Sequence, residues 1–197
     1  MLVRRLLYLY PGLALFGASL ALMVRSGLGL GPWDVFHQGL ALRLDLSLGT
    51  VVIVVSVLVL LAWIPLRQRP GIGTVSNVIL VGLATDAALA LLPVPEALAA
   101  RVSYLLAGIL LNAVATGLYI GAGLGPGPRD GLMTGLAARG MSIRLARTMI
   151  EVSILAAGWL LGGTVGVGTV LYAFAIGPLV QVVLPRLTIR PRHQEAL

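Results

Sequence analysis

Six runs of mostly apolar residues, each about 18–20 long, divide the chain: about Leu6–Val24, Ser47–Leu66, Thr74–Leu92, Arg101–Ile120, Ile143–Leu161 and Thr169–Leu184. At 1.5 Å per helical residue, each run matches a bilayer core of roughly 30 Å. Backbone in hydrocarbon must satisfy its own hydrogen bonds, so these runs are read as helices. Only 11% of the 197 residues are charged and 58% are hydrophobic, whereas a soluble domain carries about 25% charged residues. The expected product is one all-α membrane protein with no separate soluble domain.

Between the runs, one stretch occurs twice. Gly27-Leu28-Gly29-Leu30-Gly31-Pro32-Trp33-Asp34 returns 96 positions later as Gly123-Leu124-Gly125-Pro126-Gly127-Pro128-Arg129-Asp130. The glycines permit turns that other residues resist. The proline suits the first position of a helix, and the acid suits its positive end. Each copy therefore predicts a short helix, Trp33 to about Leu44 and Arg129 to about Arg139. About 12 residues reach roughly 18 Å and cannot cross a bilayer. Arg43 and Arg139 suit helix C-termini at a membrane surface, so the Gly-Pro ends are expected to point inward as re-entrant half-helices, the alternative being short helices that lie flat on the surface.

The repeat extends well beyond this stretch. Arg5 corresponds to Arg101, Tyr8 to Tyr104, Gly12 to Gly108, Gly39 to Gly135 and Trp63 to Trp159. At an offset of 95, Gly71-Ile72-Gly73-Thr74 corresponds to Gly166-Val167-Gly168-Thr169, Gly82 to Gly177 and Asp86 to Gln181. Three spans per half is an odd number, so the halves are expected to insert in opposite senses. The predicted organisation is a first repeat over 1–96, an inverted second repeat over 97–187 and a cytoplasmic tail over 188–197. With the N-terminus inside, eleven arginines fall on the cytoplasmic face and three outside, a positive-inside bias. Both termini are expected in the cytoplasm, with the chain multi-pass in its membrane. Arg4-Arg5 and the apolar run that follows are read as a retained first span, not a cleaved signal.

The motifs leave little room for an enzyme. There is no cysteine, there are two histidines, and no P-loop, dinucleotide fingerprint or nucleophile–base pair occurs. No metal or cofactor is expected. The net charge of +7 lies at segment ends, which points to topology and not to nucleic acid. Gly-x-Gly-Thr is read as closing hairpins, with Thr74 and Thr169 as N-caps. Trp63 and Trp159 are read as interface anchors, and Gly82 as a point of close helix packing.

Four acids fall in or near the membrane. Asp34 and Asp130 cap their half-helices or handle a substrate. Asp86 and Glu151 have no local capping role, and each is read as a functional candidate or as one member of a buried hydrogen-bonded pair. Arg129 is the only deep cation on this reading, so the acids call for protons, water or a bound cation. His37 follows Asp34 by three residues, either structural or pH-sensing. Gln38, Asn77, Asn112 and Gln181 line a path or bridge helices. The candidate substrate- or ion-binding set is Asp34, His37, Gln38, Asp86, Arg129, Asp130, Glu151 and Gln181.

The stretch at 27–34, the Gly-Ile-Gly-Thr…Asp pattern at 71–86 and the copy at 123–130 resemble the YczE/YyaS/YitT family of bacterial integral membrane proteins, nearest its YczE-like branch. The resemblance covers most of the chain. It implies a cytoplasmic-membrane protein and supplies no catalytic residues. Arg129 stands where the first copy has Trp33, which breaks the symmetry of the site. The leading expectation is a small-solute transporter, proton- or cation-coupled, with its site between the half-helix tips. The alternatives are a solute channel and a non-transporting membrane partner that assembles other proteins. The bilayer and an unidentified solute or ion are the expected partners, and an oligomer is compatible with the sequence.

Overall fold

A computed structural model describes residues 1–189. Arg190 and Arg192, counted above on the cytoplasmic face, and most of the tail lie outside the described residues. The chain forms eight helices among the described residues: α1 (Leu2–Ser26), α2 (Pro32–Leu44), α3 (Leu48–Leu66), α4 (Ile72–Leu91), α5 (Leu98–Gly121), α6 (Pro128–Ala137), α7 (Ile143–Leu160) and α8 (Val167–Leu187). Five of them, α1, α3, α4, α5 and α8, are long and apolar enough to cross a membrane. α7 has 18 residues but carries Arg144, Arg147 and Glu151. α2 and α6 have 13 and 10 residues.

α1 and α5 form the central pair, with α4 packed on α1 and α8 on α5. Gly12 and Gly108 make this pairing close. A Cβ on Gly12 would stand 2.9 Å from the Tyr119 backbone nitrogen, and one on Gly108 would stand 3.0 Å from the Ser19 carbonyl. The short helices cross over: α2 packs on α7, and α6 on α3. Large apolar side chains such as Leu58, Ile64, Leu110, Val170 and Phe174 face outward. Such an exposed apolar surface suits lipid contact.

Equivalent residues in the two halves make reciprocal bonds. Arg5 donates to the Gly123 carbonyl at 3.3 Å, and Arg101 to the Gly27 carbonyl at 3.0 Å. Arg43 donates to the Leu161 carbonyl at 3.3 Å, and Arg139 to that of Pro65. The Gly73 N–H donates to the Leu124 carbonyl and the Gly168 N–H to that of Leu28, both at 2.8 Å. The loops that receive these bonds require glycine. Gly27 and Gly29 have φ of 61° and 117°, and Gly123 and Gly125 have 63° and 123°, a region costly for side-chain-bearing residues.

Three local expectations are corrected. Thr74 and Thr169 are not N-caps: Gly71 and Gly166 hold that position. Each threonine sits in the first turn and accepts the cap's N–H at 3.2 Å. The helices start earlier because the opposite motif loop bonds Gly73 and Gly168. Trp63 is not an interface anchor. It is 2% exposed, donates its indole N–H to the Pro128 carbonyl at 3.0 Å, and lies flush on Gly131, where a Cβ would meet its ring at 1.9 Å. Its counterpart Trp159 is 66% exposed, and Val35 stands at the position equivalent to Gly131. Asp86 does have a capping role. It accepts from the Ser47 hydroxyl at 2.6 Å and the Gly49 N–H at 2.7 Å, at the start of α3.

Candidate functional site

The two Gly-Pro helix ends meet in the middle of the molecule. Gly31 and Gly127 are the N-caps of α2 and α6, each extended, and each is followed by proline. Extended backbone followed by a fixed proline φ aims the first turn without an unpaired donor at that position. Trp33 and Arg129, the equivalent second residues, stack on one another: the guanidinium carbon lies 5.1 Å from the indole centroid. Such contact is favourable between a cation and an aromatic face. Arg129 also reaches Asp34, with Nη2 at 3.4 Å from Oδ1. The first carboxylate is therefore bridged to the second motif.

Asp130 is treated differently. Its Oδ2 accepts a hydrogen bond from the Tyr119 hydroxyl at 2.7 Å, and among the described residues no cation lies within ion-pair distance. Position 23, equivalent to Tyr119, is Met23, so Asp34 lacks that hydroxyl. Behind Asp34 lies His37, fully buried, with Nδ1 3.7 Å from Asp34 Oδ1. Neither of its ring nitrogens has a hydrogen-bond partner among the described residues.

The two helix ends, without His37, line a cavity of about 320 Å³. Asp34, Arg129, Asp130, Glu151 and Gln181 of the sequence-derived set lie on its wall, as do Asn77 and Asn112. Phe16, Trp33, Tyr119 and Tyr172 supply an aromatic side. The Tyr172 hydroxyl donates to Asn112 Oδ1 at 3.1 Å, and Asn112 Nδ2 donates to Ser19 at 2.9 Å. This chain fixes the amide's orientation across α8, α5 and α1.

Three candidates lie off the cavity wall. His37 is behind Asp34. The Gln38 Oε1 accepts the Thr164 N–H at 2.7 Å and ties α2 to the loop before α8. Asp86 is at the α3 cap. Glu151 is not unpaired: Arg147, one helical turn earlier, donates to it at 2.9 Å. Arg129 is therefore not the only cation at the site. The Arg147–Glu151 spacing is legible as an i, i+4 pair. Tyr119 and Tyr172 carried no local signal, because their partners lie on other segments. A second hollow of about 550 Å³ between α2, α3, α6 and α7 is almost wholly apolar, with Trp33 and Ser153 the only lining residues that carry a side-chain nitrogen or oxygen.

A chain that is all-helical among its described residues, with an exposed apolar surface and a cavity lined by charged side chains, is a membrane protein. The comparisons with known proteins agree. Residues 3–185 match the family model described as "Family of unknown function (DUF6198)", and the chain belongs to that family. It is 33% identical over 189 residues to the Bacillus subtilis "Uncharacterized membrane protein YczE", covering 94% of this chain and 87% of that one. A Haemophilus influenzae relative, named only as an uncharacterised protein, is 43% identical over 173 residues, covering 87% of this chain and 79% of its own. Bacillus subtilis YyaS is 27% identical over 187 residues, covering 90% and 92%. The resemblance to the YczE and YyaS proteins thus holds. No solved structure matches the chain.

Proposed function

We propose that the protein is a small-solute carrier of the cytoplasmic membrane that works by alternating access. On this reading α1, α3, α4, α5, α7 and α8 are six spans and α2 and α6 are re-entrant. The two halves form an inverted repeat with both termini inside. Eighteen residues give α7 about 27 Å, enough to cross with Arg147 and Glu151 on the cavity wall. α2 and α6, at about 20 and 15 Å, do not reach across. The protein is read as a carrier and not as an enzyme.

The observation that carries the reading is a difference between two equivalent seams. α3 packs tightly along α4. A Cβ on Gly49 would meet the Gly82 carbonyl at 2.1 Å, and one on Gly82 would meet that of Gly49 at 2.4 Å. Asp86 bonds across the seam to Ser47 and Gly49. In the second half α7 stands away from α8. Gly177, the counterpart of Gly82, has nothing within 4 Å of a Cβ position. Gln181, the counterpart of Asp86, is exposed on the cavity wall. An inverted repeat with one seam shut and the other apart is what one of two access states requires. With the arginine bias setting orientation, the open seam faces the cytoplasm. The opposite state would close α7 on α8 through Gly177 and Gln181, since Leu145 replaces Gly49, and part α3 from α4. A channel has no need of this asymmetry, and a scaffold has no need of the cavity.

The test is counterflow in proteoliposomes. Vesicles preloaded with one solute from a panel should take up the same labelled solute faster than empty vesicles. A carrier shows this exchange acceleration for at least one class. Uptake that is linear, unsaturable and indifferent to preloading would sink the carrier reading in favour of a channel.

A further inference from the structure

We infer that the cavity is a site for a small zwitterion, an ammonium and a carboxylate carried on one apolar body. This deepens the carrier reading and rests on it for what the site is used for. The ionic groups on the wall are Asp34, Asp130 and Glu151 against Arg129 and Arg147. Two of the acids are spoken for, Glu151 by Arg147 at 2.9 Å and Asp34 by Arg129 at 3.4 Å. Asp130 is left with one neutral hydroxyl on one oxygen. It retains acceptor capacity for a cationic donor, because a carboxylate accepts at up to four positions.

Arg129 is under-used in the opposite sense. A guanidinium has five N–H donors, and among the described residues its one hydrogen bond is the long contact to Asp34. It stacks on Trp33, which holds the planar fork while leaving its edge free. Such a fork matches a carboxylate with two parallel bonds. The α2 N-terminus beside it adds about half a positive charge, which Asp34 offsets. The site is thus polarised, with spare donors at Arg129 and spare acceptors at Asp130.

A simple anion placed here would face Asp130, and a simple cation would face Arg129. A zwitterion satisfies both. The aromatic side of Phe16, Tyr119 and Tyr172 gives the rest of the ligand an apolar wall, and an ammonium can also lie over such faces. Size sets a scale and not a ceiling, since the cavity is open along the α7–α8 seam. About 320 Å³ equals about ten water volumes at ~30 Å³ each, which admits a molecule of about ten non-hydrogen atoms.

The experiment is calorimetric titration of the detergent-solubilised full chain. The zwitterionic probes are glycine, 4-aminobutyrate and leucine. Isoamylamine and 4-methylpentanoate are leucine without its carboxylate and without its ammonium. At least one zwitterion should bind tenfold or more tightly than both truncated probes. Asp130→Asn, which keeps an acceptor for Tyr119, should erase the advantage over 4-methylpentanoate. Asp130→Glu should restore it in part. Arg129→Gln should erase the advantage over isoamylamine. Each variant is first checked for an unchanged melting temperature, and if Arg129→Gln fails that check, the ranking of probes and the Asp130 pair still decide. Isoamylamine binding as tightly as the best zwitterion would make this a cation site and overturn the inference. Equal binding of 4-methylpentanoate, or no zwitterion preference at all, would overturn it too. Zwitterion binding without counterflow would retire the carrier and leave the site standing. Counterflow of another solute without zwitterion binding would do the reverse.

Discussion

Asp86 shows how a single residue changes meaning once its neighbours are placed. An acid inside an apolar run is a functional candidate by default. Here it receives the Ser47 hydroxyl and the Gly49 N–H, both from the start of another helix. A carboxylate at that positive end is stabilised by the helix itself. Replacing it removes a cap and two charge-assisted bonds. Asp86→Ala should therefore cost about 2 kcal/mol, seen as a lower melting temperature in detergent. Asp86→Asn, which keeps one acceptor, should cost less. A melting temperature unchanged by Asp86→Ala would show that the cap contributes nothing. Trp63 and Trp159 make a related point. One is buried because Gly131 leaves a slot for its ring, and the other is exposed, with Val35 at the position equivalent to that glycine. Nothing near either tryptophan in the chain distinguishes them.

At the scale of the element, the short helices were legible in place, though α6 stops at Ala137 and leaves Arg139 beyond its C-cap, whereas Arg43 does fall in the last turn of α2. Pro32–Leu44 and Pro128–Ala137 follow from glycines that need positive φ and prolines that set the first turn. Thiol labelling tests their orientation in the bilayer. The chain has no cysteine, so single thiols can be placed without background. A cysteine at Arg43 should react with an impermeant maleimide from outside intact cells, and one at Arg139 only after the membrane is opened. Both labelling from one side would overturn the inverted arrangement. Each substitution removes a bond to the end of a long helix, Leu161 or Pro65. Cysteine at neighbouring Leu42 or Ala138 offers a milder probe of the same ends.

At the scale of the whole molecule, the unequal seams carry the functional argument. Cysteines at Ser47 and Asp86 should cross-link readily with a short bifunctional reagent, because their side chains touch in the closed seam. The equivalent pair, Ile143 and Gln181, should cross-link poorly at rest. A transported solute should shift the balance, raising the yield at Ile143–Gln181 and lowering it at Ser47–Asp86. Yields that stay fixed for both pairs under every solute that shows counterflow would mean that the seams do not alternate. The readout is the fraction of cross-linked chain on a denaturing gel.

The membrane class, the positions of eight helices, the glycine turns and the twofold repeat were all determined by the sequence. Each depends on hydrophobic period, on proline and glycine backbone limits, or on self-similarity along the chain, and all of these are local or one-dimensional. Tertiary structure decided which charged groups are paired and which are left over. Arg147 and Glu151 could be matched from their spacing. Asp34 with Arg129, Asp130 with Tyr119, and Asp86 with Ser47 are joined across 95, 11 and 39 positions. The energy of a charge in a membrane depends on what lies within a few ångströms. That distance is set by how the helices pack, so the site became readable only when the two halves were brought face to face.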